Sequence, residues 1–239
     1  MPGSFLIVLA STGFTFFMTA AGASIVFLFS KEIPDKLQRF FLGFAAGVMI
    51  AASIWSLLIP SIEQAQIQQI PAWIPAAAGF TLGTFFLFLL ERLLSLLTIS
   101  KTLHLPTLLL IFAITMHNIP EGMAVGLAWP LALGIGIQNF PEGAAVALPL
   151  RKNGYSRTKA FLFGSITGVV EPIFGILTIF ISSHVSNLMP WLLAFAAGAM
   201  IYVSVEELIP QAHSDNHAMG TIGFIIGFLF MMILDVSLG

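Results

Sequence analysis

His117-Asn118-Ile119-Pro120-Glu121-Gly122 recurs 21 positions on as Gln138-Asn139-Phe140-Pro141-Glu142-Gly143. Both hexapeptides lie inside apolar runs that read as membrane helices. Both set imidazole or amide groups ahead of Pro-Glu-Gly. An ionised carboxylate at the centre of a bilayer helix costs about 2.5 kcal/mol or more on insertion scales. Two of them, each beside a proline, call for a functional cause. The cause we read is a polar, metal-binding pathway through the membrane.

The rest of the chain fits that setting. Of 239 residues, 58% are hydrophobic and 8% charged, and mean hydropathy is +0.99. Soluble domains carry about 25% charged residues. We expect an all-α integral membrane protein, with one transmembrane domain covering residues 1–239. A bilayer core needs about 20 apolar residues per helix. Eight spans fit, at approximately 4–29, 40–62, 73–98, 106–128, 131–149, 159–182, 189–211 and 219–237. The net charge of −2 decides nothing about nucleic acid, but no basic patch or aromatic RNA motif appears, and no nucleic-acid partner is expected. Cysteine is absent, so a metal here is held by oxygen, nitrogen or thioether groups. No basic residue precedes the first span, which therefore reads as a retained helix and not a cleaved signal.

Basic residues set the orientation. All nine fall in three places: Lys31, Lys36 and Arg39; Arg92 and Lys101; Arg151, Lys152, Arg157 and Lys159. With eight spans these are the first, third and fifth loops, on one side. The positive-inside rule makes that side cytoplasmic and turns both termini outward. The expected location is the inner (plasma) membrane. The turn near Ala128–Leu131 is tight, so the fourth and fifth spans form a hairpin. Ala45 to Ser53 in the second span matches Ala196 to Ser204 in the seventh at six of nine positions. Leu57 and Leu208 extend the match, and Pro60 and Pro210 follow one place out of register. The two spans run in opposite directions, as in inverted-repeat transporters. The expected plan is three spans, a central hairpin and three spans inverted (3+2+3).

Residues three or four apart share a helix face. His117 and Glu121 therefore point one way, as do Gln138 and Glu142. Asn118 lies three before Glu121, and Asn139 three before Glu142. Each proline removes an amide donor and displaces the carbonyl four residues back, which here frees Met116 and Ile137. Glu171-Pro172 in the sixth span repeats the association in reverse order. Three carboxylates carry formal charge −3; one divalent cation leaves −1 and two leave +1. Either is easier to bury than three bare anions. Histidine, amide and carboxylate ligands suit zinc, iron, manganese or cadmium better than copper(I). The zinc-protease pattern His-Glu-x-x-His is absent.

At these residues the chain resembles the ZIP family of divalent metal transporters, over its whole length. Its compact loops are most similar to the bacterial, GufA-like branch. The resemblance implies a binuclear centre between the fourth, fifth and sixth spans. One metal ion, zinc or another divalent transition metal, would be held by His117, Glu121, Gln138 and Glu142. The other would be held by Asn118, Glu121, Asn139, Glu142 and Glu171. Asn139 stands where some relatives have Asp, which removes one negative charge from the second site. Met49 matches a family position near the first metal, and packing is the alternative reading. The resemblance also implies a homodimer, movement of metal toward the cytoplasm, and an elevator-like motion. The first, fourth, fifth and sixth spans would slide against the other four.

Polar residues flank this core. Glu63 and Asp235 end spans on the outer side. Glu206-Glu207 with His213, Asp215 and His217 lie at the inner end of the seventh span, where Glu207 matches a family ligand position and reads as a release group. His104 and His184 read as solvated or interfacial, and Glu91-Arg92 as an interfacial pair. The expected function is a metal carrier, not an enzyme. A metal-selective channel with the same ligands, or an intramembrane metal-dependent hydrolase, are the alternatives.

Overall fold

Inside a bilayer every backbone polar group must be satisfied within the protein, which leaves helices or closed barrels. This chain takes the first solution. The computed structural model describes residues 2–29, 34–96, 105–127, 129, 132–213 and 218–238; its long elements are helical, with no strand among the described residues. In chain order the α-helices are α1 (Pro2–Ala23), α2 (Asp35–Ala52), α3 (Ile59–Ile67), α4 (Trp73–Leu96), α5 (Leu105–Leu127), α6 (Ala132–Lys152), α7 (Arg157–Ile166), α8 (Val170–Val203), α9 (Ile209–His213) and α10 (Ala218–Leu238). Tight 3-10 turns extend α1 over Ser24–Leu28 and join α7 to α8 over Thr167–Val169. π-helical stretches join α2 to α3 and α8 to α9.

Among the described residues six runs are long and apolar enough to cross a membrane: Phe5–Leu28, Asp35–Ile67, Trp73–Leu93, Arg157–Phe180, Asn187–His213 and Ala218–Ser237. The motif helices α5 and α6 have 23 and 21 residues. The outer surface is apolar where a soluble protein would be polar. Leu82, Phe85 and Leu89 on α4, and Ile225, Leu229 and Ile233 on α10, are all exposed. Hydrocarbon is the solvent that tolerates such a face.

Glycines let the helices approach at backbone distance, as small residues do in membranes. A Cβ on Gly47 of α2 would collide with the Phe224 carbonyl of α10, and one on Gly198 of α8 with the Phe80 carbonyl of α4. In the same way α1 meets α6 at Gly22 and Phe140, and α5 meets the start of α8 at Gly122 and Glu171. Two packed groups result. One contains α1, α5, α6 and the first half of α8. The other contains α2, α4, α10 and the second half of α8. They meet along α2 and α6 and along α8 itself.

The α2 and α8 strings that match in sequence also end alike. A π-helical stretch starts at Ser53 in one and at Ser204 in the other, with six and five residues respectively. That one-residue difference accounts for the offset between Pro60 and Pro210. The partners of these helices match too. Gly79, Phe80, Gly83, Phe86 and Leu90 on α4 recur as Gly223, Phe224, Gly227, Phe230 and Leu234 on α10, followed by Glu91 and Asp235. This second pair is weak as a string and becomes plain only once the helix partners are known.

One boundary differs from expectation. The sixth and seventh spans were to be separated between residues 182 and 189, yet helix continues from Val170 to Val203. Ser182, Ser183 and Ser186 tolerate helical geometry, and Pro190, though inside, does not end it. At 1.5 Å per residue these 34 residues exceed the ~30 Å hydrocarbon core. The side chains of 181–186, including His184, lie outside the described part. So do Lys31, Lys101 and His104.

Overpacking a tight helix contact costs about 1–3 kcal/mol or more. Gly47→Val is therefore expected to lower the thermal unfolding midpoint of the purified protein. Gly13→Ala, where a Cβ meets nothing within 4 Å, is expected to leave it unchanged.

Candidate metal centre

The two motif helices lie side by side, and their prolines do not break them. Pro120 and Pro141 both sit inside continuous helix. The Glu of each motif follows its proline directly, one turn from the loosened carbonyl. Asn118, Glu121, Gln138, Asn139, Glu142 and Glu171 are all fully buried. They come from α5, α6 and the start of α8.

Amides tie the carboxylates together across helices. Gln138 Nε2 donates to Glu121 Oε1, joining α6 to α5. Asn139 Nδ2 donates to Glu171 Oε1 at 2.9 Å, joining α6 to α8, and to the Thr15 carbonyl of α1 at 3.4 Å. Asn118 Nδ2 donates to the Thr167 carbonyl at 3.1 Å, within the 3-10 turn ahead of Glu171. Glu121 has both Glu142 and Glu171 as charged neighbours. Gly122 brings this about, because its missing side chain lets α5 lie against the Glu171 backbone.

The amide nitrogens are thus spent on anchoring, and oxygens are left over. Asn118 Oδ1, Glu121 Oε2, Gln138 Oε1, Asn139 Oδ1 and Glu171 Oε2 are buried acceptors without a hydrogen-bond donor. Buried acceptors normally find a partner. The sequence supplies no Lys or Arg between Lys101 and Arg151, nor along α8. An oxygen-rich, negatively charged cluster of this kind fits a divalent cation, which satisfies lone pairs and charge together.

Not every expected ligand falls in this cluster. The His117 backbone is helical on α5, and its side chain lies outside the described part. Among the described residues no three histidine or carboxylate groups stand close enough to hold a metal by themselves. Met49 is buried in the apolar core of α2, as is its repeat counterpart Met200 on α8.

Glu207 belongs to a separate acidic group at the far end of α8. It accepts from Gln211 Nε2 at 3.3 Å and has Glu91 and Glu206 as charged neighbours. Glu91 in turn accepts from the Tyr202 hydroxyl, while Arg92 stacks 5.3 Å from the Phe88 ring centre. His213 is exposed at the end of α9; Asp215 and His217 lie outside the described residues. At the opposite end Asp235 accepts from Ser56 Oγ at 2.8 Å, and Glu63 is exposed. Sequence reasoning overlooked Ser56, Tyr202 and the buried Thr15 and Thr19 of α1. The threonines had a legible signal in their helical spacing.

A family model described as ZIP Zinc transporter matches residues 98–235, the stretch that contains the whole cluster. The chain is similar to zinc transporter GufA of Myxococcus xanthus, at 38% identity over 92% of this chain and 95% of that one. It is similar to zinc transporter ZIP11 of Homo sapiens at 36% identity, with 97% of each chain covered. Zinc transporter ZIPB of Bordetella bronchiseptica is 36% identical over 94% of this chain and 79% of its own. With a family model spanning more than half its length and relatives aligned nearly end to end, this multi-helix membrane protein belongs to the ZIP family.

Proposed function

We propose that this chain carries divalent transition metal ions, zinc foremost, across the membrane through a site for two ions between α5, α6 and α8. The observation that carries the reading is the set of buried, donor-less oxygens beside three buried carboxylates. The names of the similar proteins support zinc. Cadmium, iron and manganese share the ligand preferences of such a site. His117, Glu121, Gln138 and Glu142 would hold one ion, with Met49 beside it. Asn118, Asn139 and Glu171 would complete the other, with Glu121 and Glu142 bridging. Glu207 would receive the ion on its way out. The ion is cargo, and no step needs a bond to break.

We read eight crossings in a 3+2+3 arrangement. Both repeat pairs support it: α2 packs on α10 as the second half of α8 packs on α4, and α1 packs on α6 as the first half of α8 packs on α5. The two packed groups are the bodies an elevator motion needs, with the ligands from α5, α6 and the start of α8 in one of them and Met49 and Glu207 in the other. The basic loops put the Glu207 end toward the cytoplasm and the termini outside, in the inner (plasma) membrane. The exposed apolar faces of α4 and α10 suit a homodimer within the bilayer. A channel with the same ligands is separated from a carrier by saturation and temperature dependence of flux in proteoliposomes. A hydrolase reading lacks a supporting observation.

Replacing Glu121 or Glu142 by Ala is expected to reduce zinc and cadmium uptake into proteoliposomes to background, with the protein still inserted. Full transport by both variants would end the metal-pathway reading.

Protons compete with the metal for His117 and for the carboxylates. Lower pH favours the protonated, metal-free forms, so uptake is expected to fall from about pH 7.5 to about pH 5. Flat uptake across that range argues against a His117 ligand.

Glu207→Ala is expected to change the maximal uptake rate and leave the zinc-to-iron preference as in the parent. An altered preference at normal maximal rate would move this acidic group to the selectivity step.

A further inference from the structure

Helix α1 carries no charged side chain, yet it is polar along one line. Thr12, Thr15 and Thr19 lie three and four residues apart, on one face, and all three are fully buried. That face looks at the start of α8. A Cβ on Gly175 would stand 2.5 Å from Thr12 Cγ2, and one on Gly168 2.8 Å from Thr19 Oγ1. The two glycines sit four residues after and three before Glu171. They clear the space that lets the threonines stand beside its carboxylate.

The hydroxyls have two competing uses. Thr15 Oγ1 donates to the Thr12 carbonyl at 2.9 Å, and Thr19 Oγ1 to the Thr15 carbonyl at 3.3 Å. Both side chains also neighbour Glu171, while their hydroxyl protons are given to the backbone. A hydroxyl has one proton and two lone pairs. With its proton on the backbone, it offers lone pairs to a cation shared with Glu171. Turned the other way, it donates to the carboxylate. The longer Thr19 bond is the weaker one and the easier to exchange. Threonine back-bonding in membrane helices is common and by itself means little. Here the same two side chains also flank the carboxylate whose second oxygen, Oε2, is a buried acceptor without a donor.

We propose that Thr15 and Thr19 determine the metal specificity of the Glu171 half of the site. They hold Glu171 in place and add hydroxyl oxygen to its surroundings, so the second ion meets an oxygen-only wall. Oxygen donors favour manganese-like ions, whereas imidazole favours zinc-like ones. With a histidine among the ligands proposed above for the first ion and hydroxyl oxygen added around the second, the two ions would meet different preferences. The inference rests on the transporter reading above.

The test measures ion stoichiometry and affinity for manganese and for cadmium, using purified full-length protein, together with uptake competition in liposomes. The variants are Thr15→Val with Thr19→Val, the two single valines, and the matching Thr→Ser changes, with Glu171→Gln as reference. Removing a group that supports a metal ligand costs about 10- to 100-fold in affinity. The double valine is expected to keep the first ion and to bind the second about 10- to 100-fold more weakly. The loss should be larger for manganese, and uptake should shift toward cadmium. Serine should restore both. Two ions bound with parent affinity and preference in the valine variants would overturn the assignment. So would serine variants as impaired as valine, which would mark a packing role. Should the double valine fail to fold, each single valine compared with its serine reads the same quantities. If the parent protein binds no divalent ion, the transporter reading falls and this inference with it. If the parent binds two and the valines follow it, only the threonine assignment falls.

Discussion

The structure is organised around three carboxylates that must stay in the middle of an apolar bundle, on stretches, between Lys101 and Arg151 and along α8, whose sequence holds no Lys or Arg. Burying one charge without compensation is prohibitive, and three neighbouring ones repel each other as well. Helix α6 is therefore the most enclosed element, with every residue from Pro141 to Leu150 buried. Its neighbours α1, α5 and α8 shield Glu142 and its partners from lipid. Amide side chains perform the fixed part of the compensation. They spend their N–H groups on carboxylates and backbone carbonyls, and so hold the oxygens in place. Buried oxygens without a donor remain after that compensation.

Close packing makes that arrangement possible. Lipid gives helices no hydrophobic reason to associate, so contact area and fit decide. Glycine at Gly47, Gly198, Gly22 and Gly122 brings backbones together, and the last of these sets Glu121 against Glu171. Gly47 and Gly198 are counterparts in the matched strings of α2 and α8. Two helix groups result, and the three buried carboxylates Glu121, Glu142 and Glu171 lie in only one of them.

The two ends of the molecule answer each other as well. Asp235 with Ser56 at one end, and Glu91 with Tyr202 at the other, occupy matching positions on α10 and α4. Each ties its helix to a neighbouring helix, the end of α2 or of α8, that passes through a π-helical stretch nearby. Such a stretch widens the helix and loosens its backbone, and π-bulges frequently mark functional positions. A carboxylate hydrogen bond across the pair offsets that loosening.

Class, apolar runs and the polar residues that interrupt them were legible in the sequence alone. Hydropathy over about 20 residues is a local property, and helix spacing places Glu121 with its neighbours from numbering alone. The repeated Pro-Glu-Gly motif and Glu171 could be singled out because charge in an apolar run is conspicuous. Tertiary structure decided which helices touch, and so which atoms remain free. Nothing local in Thr15 and Thr19 says that they face Glu171; that follows from how α1 leans on α8 past Gly168 and Gly175. Nor could the sequence tell that Asn118 would bond to Thr167 and Asn139 to Glu171, leaving their oxygens over. The continuous helix through residues 181–186 was equally illegible, because turn and helix compositions overlap there. Side-chain pairing between distant segments is set by packing, and packing is a property of the whole bundle.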